Sequence, residues 1–161
     1  MIVLLMGPAG SGKTEAGRLL AAKLGWEFLD ADDFHSPENR LKMAQDHPLS
    51  DEDRLPWLDS IHGALLKCSH SQKNIVLACS ALKQSYRDHL RTGLDMKIVY
   101  LRGSRELLLE RLRERRGHFF KAKLLDSQLA DLEEPAEAAT MDIRQSPAQL
   151  AQAIREKLNL K

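Results

Sequence analysis

Eight consecutive residues, Gly7-Pro8-Ala9-Gly10-Ser11-Gly12-Lys13-Thr14, restrict the fold more than any other part of the chain. They match G-x-x-x-x-G-K-[ST] at every fixed position, directly after an apolar run at 2–6 and directly before a helical pattern at 13–24. The glycines let the backbone curl around a phosphate with its N–H groups inward, and the following helix sets its positive dipole end on the same anion. All eight residues are therefore expected to hold a nucleoside triphosphate. Lys13 would bridge its β and γ phosphates, and the Thr14 hydroxyl would ligate Mg2+. The loop alone fixes the ligand class and leaves the reaction open.

A strand that feeds a helix through such a loop implies an α/β unit, and the rest of the chain repeats the alternation. Short apolar runs at 2–6, 26–29, 74–79, 97–101 and 138–143 read as strands of a parallel sheet covered on both faces. Helical patterns at 13–24, 54–67, 82–91, 105–115 and 148–158 lie between and after them. The expected fold is a doubly wound five-stranded parallel sheet, and 161 residues suit one core and one domain. In the last helix Leu150, Ile154 and Leu158 form one apolar stripe, and Ser146-Pro147 supplies its cap and first turn.

Charge excludes some partners. The 24 basic and 23 acidic side chains leave a formal charge of +1, so no general field draws in nucleic acid or an anionic membrane. Any anion must be bound locally. The run at 2–6 is far shorter than a membrane span and lacks the flanks of a signal peptide. Cys68 and Cys79 have no metal-ligand spacing and read as reduced packing residues of a cytoplasmic protein.

The acidic residues after the second strand bear on the reaction. Alternation along an extended Asp30-Ala31-Asp32 would send both carboxylates to the strand ends, where α/β sheets bind ligands. Asp30 would support the metal, and Asp32 would accept or orient the proton of an attacking hydroxyl. The third strand run ends in Ser80 and carries no acidic residue, unlike motor and GTPase types of phosphate-loop enzyme. Two polar stretches stand apart from the alternation. Residues 33–60 begin with a segment rich in turn formers and are the expected substrate-binding excursion. Residues 110–123, rich in arginine, are the expected lid.

The phosphate loop, Asp30-Ala31-Asp32-Asp33-Phe34-His35, Asn39 with Lys42-Met43, Pro48-Leu49, the run DEDRLPWL at 51–58, CSALK at 79–83 with Tyr86-Arg87, and Gly117-His118-Phe119-Phe120 occur in one order over most of the chain. In this the sequence resembles the gluconokinases of the shikimate-kinase-like, nucleoside-monophosphate-kinase-like group. DRLPWL, CSALK..YR and GHFF together are the specific part. Pro8-Ala9 stands where Val-Ser is expected, at positions where the cradle uses backbone.

The resemblance implies transfer of the γ-phosphoryl group of ATP, with Mg2+, to the 6-hydroxyl of D-gluconate. The product would feed the pentose phosphate or Entner–Doudoroff route. It also implies a homodimer and a lid at the GHFF segment. A kinase of the same fold acting on another small hydroxy acid, such as shikimate, and a nucleotide-dependent module that no longer transfers phosphate are the competing readings.

Gluconate offers one carboxylate and a row of hydroxyls. Arginine pairs with both carboxylate oxygens, which makes Arg54 the first candidate and Arg87 with Lys83 the second. His35 and His118 would reach sugar hydroxyls. Among the arginines of the lid, Arg113 and Arg116 are expected to stabilise charge on the transferring phosphoryl group. By analogy of fold, backbone near 142–146 would meet the adenine.

Overall fold

The computed structural model describes residues 1–116 and 122–161. Five parallel strands, β1 (Ile2–Met6), β2 (Glu27–Asp30), β3 (Ile75–Ala78), β4 (Met96–Arg102) and β5 (Ala139–Asp142), form one sheet in the order β2-β3-β1-β4-β5. The phosphate loop thus leaves the central strand, between the ends of β3 and β4. Every residue of β1 is buried, as a strand with neighbours on both edges and helices on both faces must be. Register sets Leu4 against Leu77 on one side and Ile98 on the other.

The period-two alternation of β1 divides the interior into two cores. Val3 and Leu5 face α1 (Lys13–Leu24), α5 (Arg105–Arg116), α6 (Ala122–Asp131) and α7 (Pro147–Lys157), meeting Leu20, Leu108, Leu125 and Ile154. Ile2, Leu4 and Met6 face α3 (Asp51–His70) and α4 (Gln84–Arg91), meeting Trp57, Ile61, Leu65 and Leu90. The remaining helix, α2 (Pro37–Ala44), follows a 3-10 turn at Ala31–Phe34.

Helix ends follow local chemistry. Gly12 enters α1 at φ 85° and Gly25 leaves it at φ 65°, both in the left-handed region where glycine is favoured. Ser146 and Gln149 form a capping box on α7, with Pro147 in the first turn as its sequence indicates. Ser50 and Asp53 form another at the start of α3, three residues before the expected start of that helix.

Three elements differ in kind from the sequence reading. The turn-rich stretch after β2 contains the 3-10 turn and α2, and the segment after the arginine run becomes α6. A further difference is local to Asp30-Ala31-Asp32. The strand stops at Asp30, whose Oδ1 accepts from Asp32 N at 3.0 Å, so the extended alternation expected there is replaced by a turn. The expected lid lies partly in α5. His118 and the rest of 117–121 lie outside the described residues.

Candidate active site

The phosphate loop is held by its neighbours before any ligand is considered. Gly7 N donates to Ser80 O at 3.3 Å, tying the loop to the end of β3, and Ser11 N donates to Pro8 O at 3.2 Å. Gly10 has φ 85°, where a side chain is strained, and a Cβ there would sit a tight 3.0 Å from both Leu108 O and Leu112 Cγ of α5. Lys13 curls back, its Nζ donating to Pro8 O at 3.0 Å. Enclosure by the loop pulls its ammonium below the usual lysine range, opposed chiefly by the negative charge of Asp32 and, less, Asp30.

Lys13, Thr14, Asp30, Asp32, Ser80 and Arg115 line one cavity of about 140 Å³. Asp30 and Asp32 therefore do share the loop's mouth, brought there by the 3-10 turn. Two contacts hold that turn. Trp57 Nε1 donates to Ala31 O at 2.7 Å, and Arg40 reaches the carbonyls of Asp32, Asp33 and His35. Thr14 Oγ1 donates to Asp30 Oδ2 at 2.9 Å. Among the described residues no group of three or more His, Cys, Asp or Glu side chains could cage a metal. Mg2+ needs no such cage, since one or two protein oxygens suffice when phosphates and water complete its shell. Thr14 and Asp30 fit that requirement.

A second cavity, about 730 Å³, opens beside Gly10 and Gly12 between α5 and the loop after β5. Arg111, Arg115, Arg144, Gln145 and Ser146 line it, so part of the 142–146 stretch expected to meet the adenine borders this cavity. Arg111 donates to Ile143 O, tying α5 to the end of β5.

The start of α3 and the start of α4 bring together a polar cluster. Arg54 Nη1 donates to Tyr86 Oη at 2.9 Å and lies 3.6 Å from Asp131 of α6. Tyr86 in turn donates to Asp51, which also accepts from Lys83 Nζ at 2.9 Å. These bonds, Tyr86 first and Lys83 second, hold the Asp51 carboxyl below its ordinary value. His35 stacks on Trp57 at 4.3 Å between ring centroids, with Nδ1 buried and without a hydrogen-bond partner among the described residues. Burial, then Arg40 and Arg54, push its pKa down to about 4, so it is neutral near pH 7.

Several expected residues stand elsewhere. Arg87 is fully buried, and its donors go to the carbonyls of Ala81, Leu82 and Glu133 and to Gln84 Oε1 at 2.7–3.0 Å. Both Nη groups are thus engaged within the fold, while Nε is buried with no partner among the described residues, and the side chain joins the segment before α4 to the segment after α6. Arg113 is exposed and absent from both cavities, whereas Arg115 lines both. Arg116 closes α5.

Two participants were not singled out by sequence, Asp131 and Gln128, whose side chain meets the phosphate loop at Ala9; Tyr86 and Asp51 fall in motifs that carry the resemblance, which assigns them no role. Trp57, a buried residue of α3, anchors the acidic turn. Cys79 lies buried under the same cavity, and burial raises its thiol to about 12, consistent with an inert packing residue.

The comparisons with known proteins agree with this geometry. A family model described as shikimate kinase matches residues 9–159. A protein named probable gluconokinase from Rattus norvegicus is 49% identical over 154 aligned positions, covering 84% of this chain and 83% of that one. A solved sugar kinase from Janibacter sp. HTCC2649 is 42% identical with a TM-score of 0.90, over 99% of this chain and 94% of the other. The solved gluconokinase from Sinorhizobium meliloti 1021 is 38% identical with a TM-score of 0.86, over 97% and 91%.

Proposed function

The chain belongs to the gluconokinase family, within the group that the shikimate kinase model describes, and on that premise we propose that it is an ATP-dependent gluconokinase. It transfers the γ-phosphoryl group of ATP to the 6-hydroxyl of D-gluconate, giving 6-phospho-D-gluconate and ADP. The observation that carries the reading is the meeting of Lys13, Asp30, Asp32 and Arg115 around one cavity; the Arg54–Tyr86–Asp51–Lys83 cluster supplies a second polar group.

Phosphoryl transfer needs in-line placement and neutralisation of charge more than covalent chemistry. In this proposal the loop amides and Lys13 hold the triphosphate, and Arg115 faces the transferring group. Asp32 accepts the proton of the 6-hydroxyl or orients that hydroxyl for attack. Arg54 takes the gluconate carboxylate, and Lys83 and neutral His35 meet hydroxyls. Mg2+ bound to the triphosphate would sit by Thr14 and Asp30 and offset charge on the β and γ phosphates. The reading extends to a homodimer in the cytoplasm, which light scattering and fractionation test. Among the described residues no helix is long and apolar enough to cross a membrane.

A panel of hydroxy acids and sugars in an ADP-release assay tests the substrate. The expected result is the highest kcat/KM with D-gluconate. Turnover with shikimate or a neutral sugar and none with gluconate would replace the reading.

A further inference from the structure

We propose that Gln128 of α6 is a positioning residue for phosphoryl transfer, clamping the Pro8–Ala9 peptide of the phosphate loop. Its Oε1 accepts from Ala9 N at 2.7 Å across 119 residues of sequence. The other end of the same peptide unit is also held, because Pro8 O accepts from Lys13 Nζ at 3.0 Å and from Ser11 N at 3.2 Å. A planar peptide fixed at both its carbonyl and its N–H cannot rotate. Gln128 thereby sets the orientation of the carbonyl on which Lys13 rests, and with it the starting position of the ammonium.

The helix that carries Gln128 is itself fixed. Leu125, one turn earlier, is fully buried, and Asp126 pairs with Arg105 of α5 through two bonds of 2.6 and 3.0 Å. One turn later Asp131 lies beside Arg54. The clamp is therefore a rigid post and not a loose surface contact. Only the amide oxygen of Gln128 can accept from Ala9, so its NH2 end is the donor, on a side chain that lines the same cavity as Lys13, Asp32 and Arg115.

The inference rests on the kinase reading, and its test separates the two. In the wild-type chain, hydrogen exchange at the Ala9 amide should be slow before nucleotide is added; exchange as fast as in an unstructured peptide would overturn the clamp. Gln128→Met keeps the length of the side chain and removes the acceptor. It should speed Ala9 exchange and leave the melting temperature and the KM for gluconate near wild type. It should also lower kcat by up to about 10²-fold, the scale of a misplacement near 1 Å. A folded Gln128→Met enzyme with wild-type kcat and KM for ATP would overturn the proposal. So would a variant whose only change is lower stability, since that is a structural role. If Gln128→Met does not fold, exchange at Ala9 in the wild-type chain decides. Absence of gluconate turnover in the wild type would count against the kinase reading, and the clamp would then stand or fall on Ala9 exchange and ATP affinity in the two proteins.

Discussion

Thr14 Oγ1 donates a 2.9 Å hydrogen bond to Asp30 Oδ2, joining the start of α1 to the end of β2. With its proton directed to the carboxylate, the hydroxyl keeps its lone pairs available for a cation. Partners that orient a metal ligand in this way are typically worth about 10–100-fold in metal affinity or activity. Asp30→Asn is expected to raise the Mg2+ concentration for half-maximal turnover on that scale while the KM for gluconate stays near wild type. An unchanged Mg2+ titration would remove Asp30 from the metal environment.

Arg111 and Arg115 are four residues apart on α5 and share the face over the phosphate loop, while Arg113 points away. Arginines that stabilise a transferring phosphoryl group are worth roughly 10³–10⁵-fold in kcat when fully engaged. Arg115→Ala should therefore lower kcat far more than Arg113→Ala, which should behave as wild type. Steady-state kinetics on the two variants check this, and equal kcat values would contradict the assignment.

Arg54 is presented by α3 with its guanidinium bonded to Tyr86. Hydrogen bonds to charged groups contribute about 1.5–3 kcal/mol, so Arg54→Met should raise the KM for gluconate by roughly one to two orders of magnitude. Lysine should restore little, lacking the planar fork. Arg87→Met should act on stability instead, lowering the melting temperature with a smaller effect on KM, because the guanidinium it removes is buried among carbonyls.

His35 sets a pH dependence whose sign follows from its lowered pKa of about 4. Between that value and the ordinary 6.5 the unfolded chain binds a proton that the folded chain does not. Folding stability at this site is thus fully present above pH 6.5 and falls as the pH drops towards 4. Partial exposure makes the effect smaller than the full shift implies. Urea unfolding across that range should show a steeper loss in wild type than in His35→Asn. Parallel pH profiles would show that His35 titrates normally in the folded protein.

Much of the framework is legible in sequence because local rules set it. The phosphate loop identifies β1 and α1, and uninterrupted apolar runs mark the parallel strands. Ser146-Pro147 reveals the start of α7. The same Ser-Pro signal occurs at Ser36-Pro37 and begins α2, but the surrounding turn formers hide so short a helix. Leu125 and Leu129 carry the helical spacing of α6, and Leu132 continues it just past the helix end, but the charged run before them hides the pattern.

The site is less legible. A step of one residue turns a helix by about 100°, so the choice among Arg113, Arg115 and Arg116 depends on how Leu108 and Leu112 pack, which is a tertiary fact. The burial of Arg87 depends on carbonyls from 81, 82 and 133, and no local pattern announces their meeting. The Gln128–Ala9 contact has the same character.

The product itself tests the central claim most directly. Purified protein incubated with ATP, Mg2+ and D-gluconate, followed by phosphorus–proton correlated NMR, identifies both the acceptor and the carbon that carries the phosphate. Stoichiometric ADP and a phosphomonoester coupled to the C6 protons are the expected result. Phosphate on another carbon, or ADP released with inorganic phosphate alone, would contradict it.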